Sequence, residues 1–271
     1  MEPKFDVLPP EPPQQKKNMV QTAGGILAAV GIAFVKYKLL LLGALKTGLS
    51  MFVSIWIYAQ FFGWVYAIGI VVLIFVHEMG HVVAAKWLGM PVSAPLFIPF
   101  IGASIIMKEN PRDAWTEALM AYGGPLAGCI GSWICWFLAI QLHLPWMMAV
   151  ASTSFFINIF NMIPVPPLDG GRICAAISPW FWIVGLVPLL GALFLFHGTT
   201  SIIIIALVLF AAFQRFKQTF FGAPTPEMQN YYATHISNRI TMTLMYLGLL
   251  AALLLGYWDS SQHLSGFMDQ D

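Results

Sequence analysis

Seven apolar runs, at about residues 40–62, 63–86, 115–141, 146–163, 179–196, 199–214 and 240–257, dominate the chain. Most approach the roughly 20 residues that a helix needs to span a bilayer. A water-soluble domain cannot hide so much uncharged surface. Only 9% of the 271 residues are Asp, Glu, Lys or Arg, and 59% are hydrophobic, whereas a soluble domain carries about 25% charged residues. The expected class is an all-α polytopic membrane protein with about six to seven transmembrane helices. The run 199–214 is the shortest; it crosses by tilting or local thinning, or joins its neighbour as a helical hairpin.

Charge placement supplies an orientation. With a cytoplasmic N terminus and every run crossing, all 13 basic residues fall on the cytoplasmic side. Lys4, Lys16, Lys17, Lys36, Lys38 and Lys46 lie on or near that side before the first crossing. Lys86, Lys108 and Arg112 follow in the next cytoplasmic region, Arg172 in the third, and Arg215, Lys217 and Arg239 in the fourth. The opposite connections, near Phe62, at 142–145 and at 197–198, and the tail 258–271, contain none, as the positive-inside rule requires.

The chain divides accordingly. Residues 1–22 read as a flexible, proline-rich cytoplasmic tail, and 23–38 as an interfacial or partly buried helix ending near Lys36. A membrane core covers 39–215, a cytoplasmic segment 216–239, and a C-terminal transmembrane helix with a short external tail 240–271. No signal or transit peptide is recognisable, and this compact form suggests a multi-pass protein of a bacterial cytoplasmic membrane. The net charge of +1 says nothing about nucleic acid, and in the absence of a basic cluster with interleaved aromatics no nucleic-acid partner is expected. Cys129, Cys135 and Cys174 are too few and scattered for a disulfide framework and read as small buried side chains.

Within the second run, VVLIFVHEMGHVVAAKWLGM (71–90) places His77, Glu78 and His81 among apolar residues. An acidic group at the centre of a membrane helix costs about 2.5–3.5 kcal/mol on insertion scales, so such residues default to function. Positions i and i+4 share one helix face, so both imidazoles can meet at one point, with Glu78 beside them. HExxH is the pattern in which two histidines ligate zinc and the glutamate takes a proton from an activated water. A bound cation would offset the cost of these groups.

A zinc hydrolase needs a third ligand and an open position. NIFNMIPVPPLDGGRI (158–173) supplies Asp169 at the end of the fourth run. Pro164, Pro166 and Pro167 forbid a regular helix, and Gly170 and Gly171 permit a tight turn that aims Asp169 inward. Irregular backbone at membrane depth is tolerated only when buried in protein or lining a wet cavity. Asn161 and Asn158 flank the break, and either could donate to a substrate carbonyl or to carbonyls freed by the prolines. Asn161 is assigned to substrate and Asn158 to structure.

HEMGH in one span, GGPLAG (123–128) in the next and NMIPVPPLDGG (161–171) after it together resemble the site-2 protease family of intramembrane zinc metalloproteases. The resemblance covers roughly residues 40–215. It implies one Zn²⁺ and proteolysis of a membrane-anchored protein substrate near the cytoplasmic face. His77, His81 and Asp169 match the family's zinc ligands, Glu78 its catalytic base and Asn161 its substrate-contacting asparagine. The PDZ domain of many members resembles nothing here, and Gly128 stands where others often carry asparagine in G-P-x-A-N. The small residues of GGPLAG suit close helix packing.

Residues 90–113, MPVSAPLFIPFIGASIIMKENPRD, are interrupted by prolines yet greasy, which suggests a membrane-dipping β-hairpin or re-entrant loop between the second and third runs. Its edge would present a substrate in extended form by strand addition, or the loop would simply cover the site. His143, His197, His235 and His263 fall in connections and polar segments, and Glu117 reads as facing the interface. Two other functions compete with proteolysis. A silent membrane-segment-binding regulator or chaperone would not need Glu78, and a metal carrier would need further ligands along the other spans.

Overall fold

The computed structural model describes residues 15–99, 102–104, 109–195, 198–222 and 225–268. Residues 1–14 of the expected tail, the loop residues Phe100, Ile101, Ile105, Ile106 and Lys108, and His197 lie outside these. The helices are α1 (Gln15–Phe62), α2 (Trp64–Trp87), α3 (Ala114–Leu142), α4 (Pro145–Asn161), α5 (Asp169–Ile177), α6 (Phe181–Leu195), α7 (Thr199–Phe216), α8 (Pro226–Tyr232) and α9 (Ile236–Met268). Two short strands, β1 (Leu96–Ile98) and β2 (Gly102–Ser104), lie between α2 and α3. The chain forms two units, Met1–Leu45 and Lys46–Asp271. In the first, the described residues are helical; the second holds everything that follows.

Five helical stretches are long and apolar enough to cross a membrane: Leu41–Phe62, Trp64–Trp87, Ala114–Leu142, Ser201–Phe221 and Ile236–Gly266. The runs at 146–163 and 179–196 become α4, of 17 residues, and α6, of 15. Both are shorter than a full crossing, α4 because the prolines after Asn161 stop it. Two helices run further than expected. α1 continues through Lys36 to Phe62, since no proline interrupts it. α9 passes Tyr257 to Met268, and its far end is tied to α3 by Trp136 Nε1, which donates to Asp259 Oδ2 at 2.7 Å.

β1 and β2 pair antiparallel, with Phe97 opposite Ala103. The hairpin is sewn to α1: Thr47 Oγ1 donates to the Pro95 carbonyl at 2.6 Å, and the Phe97 N–H to Ser50 Oγ at 3.1 Å. Phe97 itself is buried and its ring lies 6.3 Å from that of Phe75 on α2.

Buried side chains gather on both sides of the proline-broken segment 162–168. Met162, Ile173, Phe155, Met242, Leu249 and Leu253 join α3, α4, α5 and α9 in one cluster. Val165, Leu168, Leu189, Ile205 and Val208 join the break to α6 and α7 in another. The Met162 carbonyl at the break accepts from the Tyr246 O–H at 2.6 Å, and Trp182 Nε1 donates to Gly171 O in the first turn of α5 at 2.8 Å. Gly170 and Gly171 act differently from the expected tight turn. They lie inside α5, and a Cβ on either would strike the backbone of Met162 or of Val165 and Pro166. Their role is to let the first turn of α5 press onto the proline loop.

Candidate metal centre

His77 and His81 sit one turn apart on α2 with ring centroids 4.9 Å apart and planes at 80°. α5 begins at Asp169, directly after the proline loop, so the carboxylate enters on the first residue of a helix that the loop delivers to α2. The three side chains converge. His77 Nε2 and His81 Nε2 are 3.1 Å apart, and Asp169 Oδ2 lies 3.2 Å from the first and 3.3 Å from the second.

The outer ring nitrogens identify the species that meet. His81 Nδ1 lies 2.9 Å from the Met120 carbonyl, which can only accept. His77 Nδ1 lies 2.9 Å from Asn158 Oδ1, and the orientation of that amide is set because Asn158 Nδ2 donates to Ser154 O at 2.8 Å. Both Nδ1 atoms therefore carry a hydrogen, so that in its neutral form each ring turns the Nε2 lone pair inward. With both rings neutral, two imidazole lone pairs and a carboxylate oxygen face one another in a buried place, an arrangement that a positive charge among them would relieve. Zinc at its usual 2.0–2.1 Å from ligands in a tetrahedron separates them by about 3.3 Å, and the three separations here are 3.1, 3.2 and 3.3 Å. The donor set fits zinc in identity, tautomer and spacing.

The triad lines a cavity of about 670 Å³, together with Glu78, Asn158, Asn161 and Arg172. Apolar side chains of α2, α4 and α7 form much of the remaining wall, with Tyr58 of α1 and Ala103 of β2. Glu78 is buried on the same helix as the two imidazoles. Asn161 reaches the cavity wall at the end of α4.

Three features are not evident from the sequence. Asn158, which its place beside the prolines assigns to structure, holds the His77 ring; the stripe Ser154, Asn158, Asn161 at i, i+4 and i+7 was the available signal. GGPLAG does more than pack helices. A Cβ at Gly124 would enter the His81 ring, and one at Gly128 would enter the Asn158 carboxamide. An asparagine at 128 would need the space that Asn158 fills. Finally, Glu117 faces inward rather than toward the interface: it is 8% exposed and accepts from Arg172 Nε at 3.0 Å. His143 and His235 are exposed at the surface, and His263 pairs with Asp259. Among the described residues, no second group of metal-ligating side chains gathers.

The fold thus combines helices long and apolar enough to cross a membrane with a buried group of side chains that could hold a metal ion. Residues 65–145 and 142–182, less than half of the chain, match the model of peptidase family M50. The chain is similar to the zinc metalloprotease MJ0392 of Methanocaldococcus jannaschii, with 31% identity over 111 residues, covering 39% of this chain and 32% of the relative. It is also similar to stage IV sporulation protein FB of Bacillus subtilis, with 24% identity over 106 residues, covering 38% of this chain and 37% of the relative. The matched stretch thus spans about a third of the length of each of these relatives.

Proposed function

We propose that the chain is an intramembrane zinc endopeptidase that hydrolyses peptide bonds of membrane-anchored proteins near the cytoplasmic face. One observation carries this reading. Two imidazole nitrogens and a carboxylate oxygen at zinc-ligand spacing line a cavity that also presents a second carboxylate and an amide. His77, His81 and Asp169 hold the ion. When bound, zinc supplies Lewis-acid polarisation of the scissile carbonyl and of water.

The remaining work falls to the chain. Glu78 takes a proton from the attacking water on its carboxylate and passes it to the nitrogen of the leaving amine as the C–N bond breaks. Asn161 donates from its amide to the substrate carbonyl, steadying charge that develops there. The apolar wall from α2, α4 and α7 excludes bulk water, which strengthens both interactions. With the N terminus in the cytoplasm, as the distribution of basic residues supports, the centre lies toward that side of the membrane.

Metal content and cleavage of a single-span reporter are measured together on the purified protein in lipid. Glu78→Ala is expected to keep its zinc and lose turnover by about a hundredfold to ten-thousandfold. His81→Ala is expected to lose both. Full turnover in Glu78→Ala would remove the assigned base. A wild-type protein that binds zinc and a membrane segment without cleaving it would instead be a silent relative acting as a regulator or chaperone.

A further inference from the structure

Asp169 presents one oxygen to the imidazoles and the other to a chain of residues that ends on a different helix. Oδ2 faces the two Nε2 atoms, whereas Oδ1 lies 4.0 Å from Arg172 Nη1, one turn along α5. The guanidinium is fixed in turn by its Nε, which donates to Glu117 Oε1 on α3 at 3.0 Å. The other oxygen of Glu117 accepts from the Tyr231 hydroxyl of α8 and lies 3.7 Å from Arg215 Nη2 at the end of α7. Burial, and then the charge of Glu117 and the bond to it, raise the Tyr231 hydroxyl well above its ordinary range. Tyr231 therefore stays protonated and donates.

We propose that Glu117 and Tyr231 are positioning residues for the metal ligand Asp169, acting through Arg172. A carboxylate on the first residue of a nine-residue helix has two rotatable bonds and a proline loop at its back. Left alone, it can turn so that both oxygens, or neither, address the ion. Arg172 sets a positive charge beside the rear oxygen, and Arg172 keeps its own direction because its Nε is spoken for by a buried carboxylate. Glu117 in turn stays in place because Tyr231 and Arg215 meet its far side. Such outer partners typically change metal affinity about 10–100-fold when removed. The arrangement also couples the segment 216–239 to the centre, since α8 reaches back toward it through one hydroxyl.

The inference rests on reading the triad as a metal site, and its test separates the two. Zinc affinity is measured by competition with a chromogenic chelator, and Co²⁺ is substituted to read ligand geometry from its visible absorption. The wild type and His81→Ala test the site. Glu117→Gln and Tyr231→Phe test the relay, with melting temperature recorded for each. Glu117→Gln is expected to weaken zinc about 10–100-fold, Tyr231→Phe by less, and both to alter the Co²⁺ bands. Glu117→Asp should recover part of the affinity. A purely structural tether would lower the melting temperature while leaving affinity and Co²⁺ bands at wild-type values, and that result overturns the relay alone. A wild type that binds no better than His81→Ala overturns the site and the relay together. If Glu117→Gln fails to fold, Tyr231→Phe, which loses one oxygen atom, decides.

Discussion

The carboxamide of Asn158 joins two helices and fixes a tautomer at once. Its nitrogen is committed to Ser154 O, so its oxygen has to receive the His77 Nδ1 hydrogen. Replacing Asn158 by alanine would leave that ring free to turn or to place its hydrogen on Nε2, where it blocks coordination. Zinc affinity is expected to fall about 10–100-fold, with Glu78 untouched; equilibrium competition for zinc measures it. Unchanged affinity would make the amide a packing group. At this scale the sequence singled out His77, His81 and Asp169, which the fold brings together, because HExxH and a carboxylate between prolines and glycines are chemically unusual inside apolar runs. It did not show Asn158, Glu117 or Tyr231. Their parts depend on partners 81, 55 and 114 positions away in the chain, and local spacing carries no trace of such pairings.

Among the elements, the proline-broken stretch between α4 and α5 matters most, and it stands because its neighbours complete it. Tyr246 of α9 donates to Met162 O, and Arg239 Nη1 donates to Ile177 O at the end of α5. Tyr246→Phe removes a single donor from a carbonyl whose own residue is 1% exposed. Stability should drop by about 1–3 kcal/mol, the usual cost of stranding a buried polar group, and denaturation in detergent followed by tryptophan fluorescence measures this. Hydropathy located the break and most long helices, since lipid contact is written in local composition. It placed helix ends poorly. α1 and α9 continue where polarity rises, because a helix stops at a breaker or a cap and not at a change of solvent. The strand pairing of residues 96–98 with 102–104 was open in sequence, as prolines and isolated apolar residues allow hairpin and loop alike.

For the whole molecule, the centre is a place where folding and binding are linked. On the proposed function, neutral His77 and His81 press two lone pairs against the Asp169 carboxylate until a cation joins them, so removing zinc should loosen α2 against α5. At a free zinc concentration a thousand times the dissociation constant, binding adds about 4 kcal/mol of stability. A chelator is therefore expected to lower the melting temperature of the wild type, with recovery on adding zinc, and to leave Asp169→Asn nearly unmoved. Equal melting temperatures with and without chelator in the wild type would contradict this linkage. The family match ends at residue 182, yet Met242, Leu249 and Leu253 of α9 complete the cluster around Phe155 and Met162. Kinship and mechanical self-sufficiency thus have different boundaries here. Trimmed to its recognisable stretch, the polypeptide would keep every residue of the proposed reaction and lose the wall they lean on.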